Sequence, residues 1–132
     1  MTEFESAGQP LVLLVDDDWL NRDLMRALLK RAGFRCAEAT TGARALELVA
    51  SQPPDLILLD VRLDDMSGFD VCTRIKGDAQ TRAIPVILLT ALEPSDEELQ
   101  RHAAQADAFV SKSEGWGAVL EMIRRWFPVD AP

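Results

Sequence analysis

Four stretches end in residues able to do polar chemistry. "VLLVDDD" ends in Asp16, Asp17 and Asp18, "LILLD" in Asp60, "VILLT" in Thr90 and "AFVSK" in Lys112. Carboxylates crowded into a small space repel one another and hold on to protons unless a cation intervenes. A hard divalent ion meets that need. Mg2+ suits a shallow, open rim because it keeps several waters and takes only one or two carboxylates directly. An ion there would also neutralise an incoming phosphoryl group. A cation, a nucleophilic carboxylate, a hydroxyl and an ammonium in one place make phosphoryl transfer to an aspartate the leading chemistry. An acidic cluster alone is more often a solvated turn, so the reading depends on whether the fold brings these residues together.

The elements that must do so are legible as alternating patterns. Short apolar runs, "LVLLV" (11–15), "FRCAEA" (34–39), "DLILL" (55–59), "PVILLT" (85–90) and "AFV" (108–110), alternate with helical stretches near 19–31, 42–50, 67–76, 95–105 and 115–127. Three runs are apolar at consecutive positions, the mark of strands covered on both faces and hence of a parallel sheet. Leu20, Leu24, Ala27 and Leu28 in the first helix, and Trp116, Leu120, Ile123 and Phe127 in the last, form apolar faces expected to pack on the sheet. Gly33 reads as a helix stop, and Ser67 and Ser95 precede Asp70 and Glu98 by three residues, as in a capping box. Five β-α units with right-handed crossovers give a doubly wound α/β sheet that binds ligands beyond the carboxyl ends of its strands. All the chemical residues above fall on that edge.

Composition narrows the function classes. A chain of 132 residues with 48% hydrophobic content fits one domain, expected over 10–127 between a flexible N-terminus (1–9) and a short tail (128–132). Net charge of -8, from 22 acidic and 14 basic residues, disfavours direct binding to nucleic acid or to anionic lipid. No apolar run is long enough to span a membrane and the N-terminus lacks a signal pattern, so a cytoplasmic protein is expected. Cys36 and Cys72 lack metal-like spacing and read as reduced, buried thiols.

At this point the sequence resembles the receiver domains of two-component response regulators. "VLLVDDD", "PDLILLDVRLDDMSGFDVC", "IPVILLTA" and "ADAFVSK" stand in that family's order and spacing, over roughly residues 10–127. The resemblance implies a flavodoxin-like (βα)5 fold with strand order 2-1-3-4-5. It implies that Asp60 is the phosphoacceptor and that Asp16 and Asp17, with Asp60 and the backbone carbonyl of Arg62, hold Mg2+. Thr90 is implied to bond the phosphoryl oxygen, Lys112 to be its ion-pair partner, and Phe109 to be an aromatic switch. The implied donor is a sensor histidine kinase or histidine phosphotransfer protein. The implied output is a changed helix 4, strand 5 and helix 5 surface offered to an effector protein, on a monomer or a phosphorylation-dependent dimer. Such a chain catalyses only its own phosphorylation and dephosphorylation.

The residues themselves support those roles. Asp60 follows four apolar residues, so its backbone is expected to be buried and rigid while the carboxylate reaches the rim. Thr90 offers a hydroxyl on a stiff β-branched frame, and Lys112 a charge on a flexible stem. The helix after Thr90 has little apolar anchorage beyond Leu92, Leu99, Ala103 and Ala106, so residues 92–112 are expected to respond.

Departures from the family pattern set further expectations. Ser113 follows the rim lysine where the family often has a cis-linked proline, so either the bond is cis under strain or the loop runs differently. Asp64 replaces another common proline and leaves the loop after Asp60 freer. Arg62 and Leu92 flank the site and are expected to slow hydrolysis. Asp18 reads as a helix N-cap, Asp64, Asp65 and Asp70 as loop and capping residues, and His102 as surface. Phe109 fits either core or switch, and Trp19 either packs or shields the rim. With no effector segment after 127, the output is expected to be protein contact or relay to another histidine, unless the chain is a fragment of a larger regulator. Two rivals from other classes are a protein-binding scaffold that is never phosphorylated and a phosphohydrolase with Asp60 as nucleophile. The hydrolase needs an acid-base carboxylate two residues later, where Arg62 stands.

Overall fold

The computed structural model describes residues 8–91, 96–103 and 105–127. Within them, consecutive apolar residues build five strands: β1 (Leu11–Val15), β2 (Arg35–Ala39), β3 (Leu56–Asp60), β4 (Val86–Thr90) and β5 (Ala108–Ser111). They alternate with α1 (Trp19–Arg31), α2 (Gly42–Ser51), α3 (Gly68–Gly77), α4 (Glu97–Ala103) and α5 (Trp116–Arg124). All strand pairs are parallel, in the order β2-β1-β3-β4-β5. This is the flavodoxin-like doubly wound arrangement, and β1 and β3 meet at its switch point.

Helices cover both faces, which is why the central strands alternate in sequence so little. β3 and β4 are buried at every position. On one face Leu13, Ile57, Leu59 and Leu88 pack with residues of α2, α3 and α4, among them Val49, Ile75 and Leu99. On the other, Val12, Leu58, Ile87 and Leu89 pack with Met25 and Leu29 of α1 and Val119 and Ile123 of α5. Each large apolar side chain so buried contributes about 1.5–3 kcal/mol. Phe127 closes this second layer edge-on against Phe34, with ring centroids 6.1 Å apart.

The structure rotates α1 away from the expected face. Met25 and Leu29 are its buried residues, Leu28 is half-buried, and Leu20, Leu24 and Ala27 are exposed. Two interleaved apolar stripes run along this helix, and polar clips choose between them. Asp18 caps it through Leu20 N at 2.9 Å, while Arg22 reaches the carbonyl of Asp16 at 2.9 Å and Glu38 at 3.3 Å. With these contacts in place, Met25 faces the core. Gly33 ends the helix region with φ of +94°, the left-handed conformation that favours glycine.

Other expectations shift by smaller amounts. Ser67 caps α3 through Phe69 N at 3.1 Å. Ser95 and Leu92 lie outside the described residues, and it is Asp96 that accepts from Leu99 N at the start of α4, at 3.3 Å. His102 is half-buried rather than a free surface residue, stacked on Phe69 with centroids 4.6 Å apart. Both cysteines are free thiols, and burial pushes each up to about 11. No described helix is long and apolar enough to cross a membrane.

Candidate functional site

The switch point brings the chemical residues together because β1, β3 and β4 are neighbours that end at one level. Asp16 follows β1, Asp60 and Thr90 close β3 and β4, and Lys112 follows β5. Asp16, Asp60 and Thr90 are almost completely buried, at 1%, 4% and 1% exposure. Asp17 is exposed, so it forms the open side of the cluster. Carboxylate oxygens of Asp16, Asp17 and Asp60 lie within 4.8 Å of one another. Lys112 Nζ donates to Asp60 Oδ2 at 2.8 Å and stands 4.0 Å from Asp16 Oδ2.

One ammonium facing three carboxylates leaves the site electrostatically unbalanced. Burial, opposed by a hydrogen bond from Asp18 N and reinforced by the charge of Asp60, raises Asp16 to about 6. Asp17 is also raised, by burial first and then by Asp64 and Asp60. Lys112 is raised: burial disfavours its charge, but the hydrogen bond it donates to Asp60 and the charges of Asp60, Asp16 and Asp17 outweigh that. A buried, crowded carboxylate set of this kind, open on the Asp17 side, is a donor set that fits a hydrated hard cation.

The backbone after Asp60 completes the geometry. Arg62 N donates to Asp60 Oδ1 at 3.0 Å, so each carboxylate oxygen of Asp60 has a donor. Arg62 itself is exposed and forms an isolated bridge to Ser67 across the loop. α3 starts directly against Asp60: a Cβ on Gly68 would stand 2.1 Å from the Asp60 carbonyl oxygen, so only glycine fits.

On the far side, Thr90 pairs in register with Ser111, which puts Phe109 on the same sheet face two residues away. Phe109 is 37% exposed, so it is not a core residue. The peptide bond at Lys112–Ser113 is trans, as are all those described. The loop runs differently instead: a 3-10 turn over Lys112–Glu114 starts on a capping box, with Ser111 Oγ accepting from Ser113 N at 3.3 Å and Glu114 from Ser111 N at 3.1 Å. Gly115 releases the chain into α5 with φ of +87°.

Two residues that bond Asp16 were not singled out from the sequence. Asn21 donates to Asp16 Oδ2 at 3.4 Å, and Arg22 bonds the Asp16 carbonyl. Asp65, expected as a loop or capping residue, does cap a helix, at amides 23 and 22 residues away in sequence: its two oxygens accept from Gly42 N at 2.8 Å and Ala43 N at 2.9 Å. Those two bonds, Gly42 first, hold its carboxyl below the usual range.

Comparison with known proteins places the chain in a family. The model of the response regulator receiver domain matches residues 12–124. Over 115 residues, or 87% of this chain, the sequence is 37% identical to the DNA-binding dual master transcriptional regulator RpaA of Synechocystis and 33% identical to the polar-differentiation response regulator DivK of Brucella ovis. The chain spans about half the length of RpaA, the match covering 48% of it, but 94% of DivK. The receiver domain of the sensor histidine kinase PA1611 of Pseudomonas aeruginosa, solved with a magnesium ion coordinated in its active site cleft, superposes with a TM-score of 0.78. That match has 25% identity and covers 89% of this chain and 97% of that one. The chain therefore belongs to the response regulator receiver domain family of two-component systems.

Proposed function

We propose that the chain, as a receiver domain spanning residues 10–127, takes a phosphoryl group on Asp60 from a phosphohistidine donor in the cytoplasm and signals through an altered surface. The observation that carries this is the ammonium of Lys112 held 2.8 Å from Asp60 beside two further carboxylates. A nucleophile needs fixed geometry and charge compensation, and Asp60 has both. An oxygen of Asp60 forms the new bond to phosphorus as the bond from phosphorus to the histidine nitrogen breaks, and the imidazole leaves neutral once it gains a proton. Asp16, Asp17, Asp60 and the Arg62 carbonyl would hold Mg2+. When bound there, Mg2+ supplies positive charge for the phosphoryl oxygens.

Thr90 and Lys112 are the groups suited to follow the phosphoryl group once it is attached. It brings about -1.5 to -2 charge and strong acceptors to the rim. The surface of α4, β5 and α5 is the proposed output, with Phe109 as its exposed reporter. Output passes to an effector protein or onward to another histidine; a phosphorylation-dependent dimer is one form it can take. A protein donor also needs a docking face. Trp19, Leu20 and Leu24 are exposed large apolar residues on α1, at 67%, 49% and 44% exposure, beginning three residues after Asp16. An apolar helical stripe beside the acceptor suits the phosphohistidine-bearing helix of a kinase or phosphotransfer protein.

Intact mass after incubation with acetyl phosphate and Mg2+ tests the reading. Addition of one phosphoryl group, absent in Asp60→Ala, is expected. Free phosphate over many turnovers would mark a hydrolase, and no reaction would leave a binding scaffold.

A further inference from the structure

The loop between β3 and α3 carries the amide that bonds Asp60 and the carbonyl proposed for the metal, both on Arg62. Its sequence, "VRLDDMS", has no proline and gives no local reason to be rigid. The fold fixes it at two ends. At the Asp60 end, Gly68 N donates to the Val61 carbonyl at 2.8 Å and α3 packs on the Asp60 backbone. At the other end, the loop is fastened to α2. Met66 lies over Gly42, where a Cβ would stand 2.4 Å from Met66 Cγ, and Asp65 takes the amides of Gly42 and Ala43.

Those two amides are ones α2 cannot satisfy internally. Thr41 Oγ1 accepts from the next, Arg44 N, at 3.1 Å, and Ala45 N begins the helical ladder on the Thr41 carbonyl. Capping is thus divided between a residue of the helix's own chain segment and one from the acceptor loop. Thr41 serves α2 alone. Asp65 ties α2 to a loop whose other end holds Arg62 against Asp60.

We propose that Asp65 is a positioning residue for the acceptor site: its clamp on the α2 N-terminus holds the Arg62 backbone where its amide meets Asp60 and its carbonyl would be available to a metal. The proposal rests on the receiver reading above and adds a residue to it. Removing the clamp leaves the nucleophile in place but loosens the main chain that orients it. Metal affinity and the phosphorylation step then both suffer, as happens when the groups supporting metal ligands are removed.

Thr41→Ala is the control, because it strips a cap from the same helix without touching the loop. Mg2+ affinity by titration calorimetry, the saturating rate and KM with acetyl phosphate, and the thermal midpoint are measured for wild type, Asp65→Ala, Asp65→Asn and Thr41→Ala. For Asp65→Ala, Mg2+ affinity and saturating rate are expected to fall roughly 10-fold. Asp65→Asn keeps one acceptor and should recover part of both. Thr41→Ala should melt earlier yet keep wild-type Mg2+ affinity and rate. Folded Asp65→Ala or Asp65→Asn with wild-type Mg2+ affinity and rate would overturn the proposal. So would Thr41→Ala losing both to the same degree, which would make Asp65 a helix cap and nothing more. Wild-type protein that neither binds Mg2+ nor takes a phosphoryl group would instead overturn the receiver reading and this proposal with it.

Discussion

Each end of the sheet carries a lysine facing an aspartate, and the two pairs are built differently. At the amino-terminal end, Lys76 Nζ donates to Asp107 Oδ2 at 2.7 Å, to the Ile84 carbonyl at 2.8 Å and to the Arg82 carbonyl at 3.1 Å. All three of its donors are used. Asp107 Oδ2 also accepts from Val86 N, so the pair knits α3 to the starts of β4 and β5. At the carboxyl-terminal end, Lys112 meets three carboxylates with one close contact, and burial drives Asp16 toward its protonated form. The first pair is balanced, while the second carries excess negative charge in a partly dry setting. A fold that balances a lysine and its acceptors at one end leaves carboxylates short of positive charge at the other, where the proposed chemistry lies.

Substituting the two lysines should separate stability from function. Lys112→Met is expected to slow phosphoryl uptake from acetyl phosphate by roughly 100-fold, as loss of a preorganised charge donor does. Lys76→Met should leave uptake within about twofold of wild type while lowering unfolding free energy by about 1–3 kcal/mol, because it strands acceptors that the lysine serves. Denaturant melts and intact-mass time courses on both variants check this. Equal losses of uptake would erase the distinction.

Acidity sharpens the same contrast. Asp16 rises from 3.8 to about 6 in the folded chain, so the native state holds this proton more tightly than the unfolded state does. Its favourable contribution is full below about pH 4 and is lost as pH rises through about 6. In Mg2+-free buffer, Asp16→Asn should therefore match wild type near pH 4 and exceed it at pH 7 by on the order of 2 kcal/mol, while losing Mg2+ affinity. Thermal melts across that range check the sign. A variant less stable than wild type at pH 7 would mean that Asp16 is fully compensated.

The smallest effect belongs to the exposed stripe of α1. Leu24→Ser should change stability by no more than about 0.5 kcal/mol. It should slow uptake from a phosphorylated histidine protein by roughly fivefold and leave uptake from acetyl phosphate unchanged. Kinetics with both donors check this.

Much of the site was legible because it sits at strand ends, and strands buried on both faces announce themselves as unbroken apolar runs. "LILLD" both defines β3 and delivers Asp60, so one pattern locates the element and its residue. The orientation of α1 was not legible, since Leu20 and Leu24 repeat with helical spacing as well as Met25 and Leu29 do. The Asp18 cap, the Arg22 contacts with Asp16 and Glu38 and the packing of Met25 and Leu29 on the sheet go with the stripe that turns inward, and all of them appear only in three dimensions. Asp65 reads as a loop or capping residue, but which helix it caps was not legible, because its partners, Gly42 and Ala43, are backbone amides distant in sequence. Ser113 signalled a change in the lysine loop, but the Ser111 and Glu114 capping box that shapes it emerges only in three dimensions. His102 gave no sign of its stacking on Phe69.

The most direct test traps the acyl phosphate on the residue that carries it. Protein treated with acetyl phosphate and Mg2+ is reduced with borohydride, which converts a phosphorylated aspartate to homoserine, and the conversion is then mapped by peptide mass. Homoserine at position 60 alone, with none in Asp60→Ala, is the expected result. Conversion at Asp16, Asp17 or another carboxylate, or none at all in wild type, would contradict the assignment of Asp60 as the phosphoacceptor.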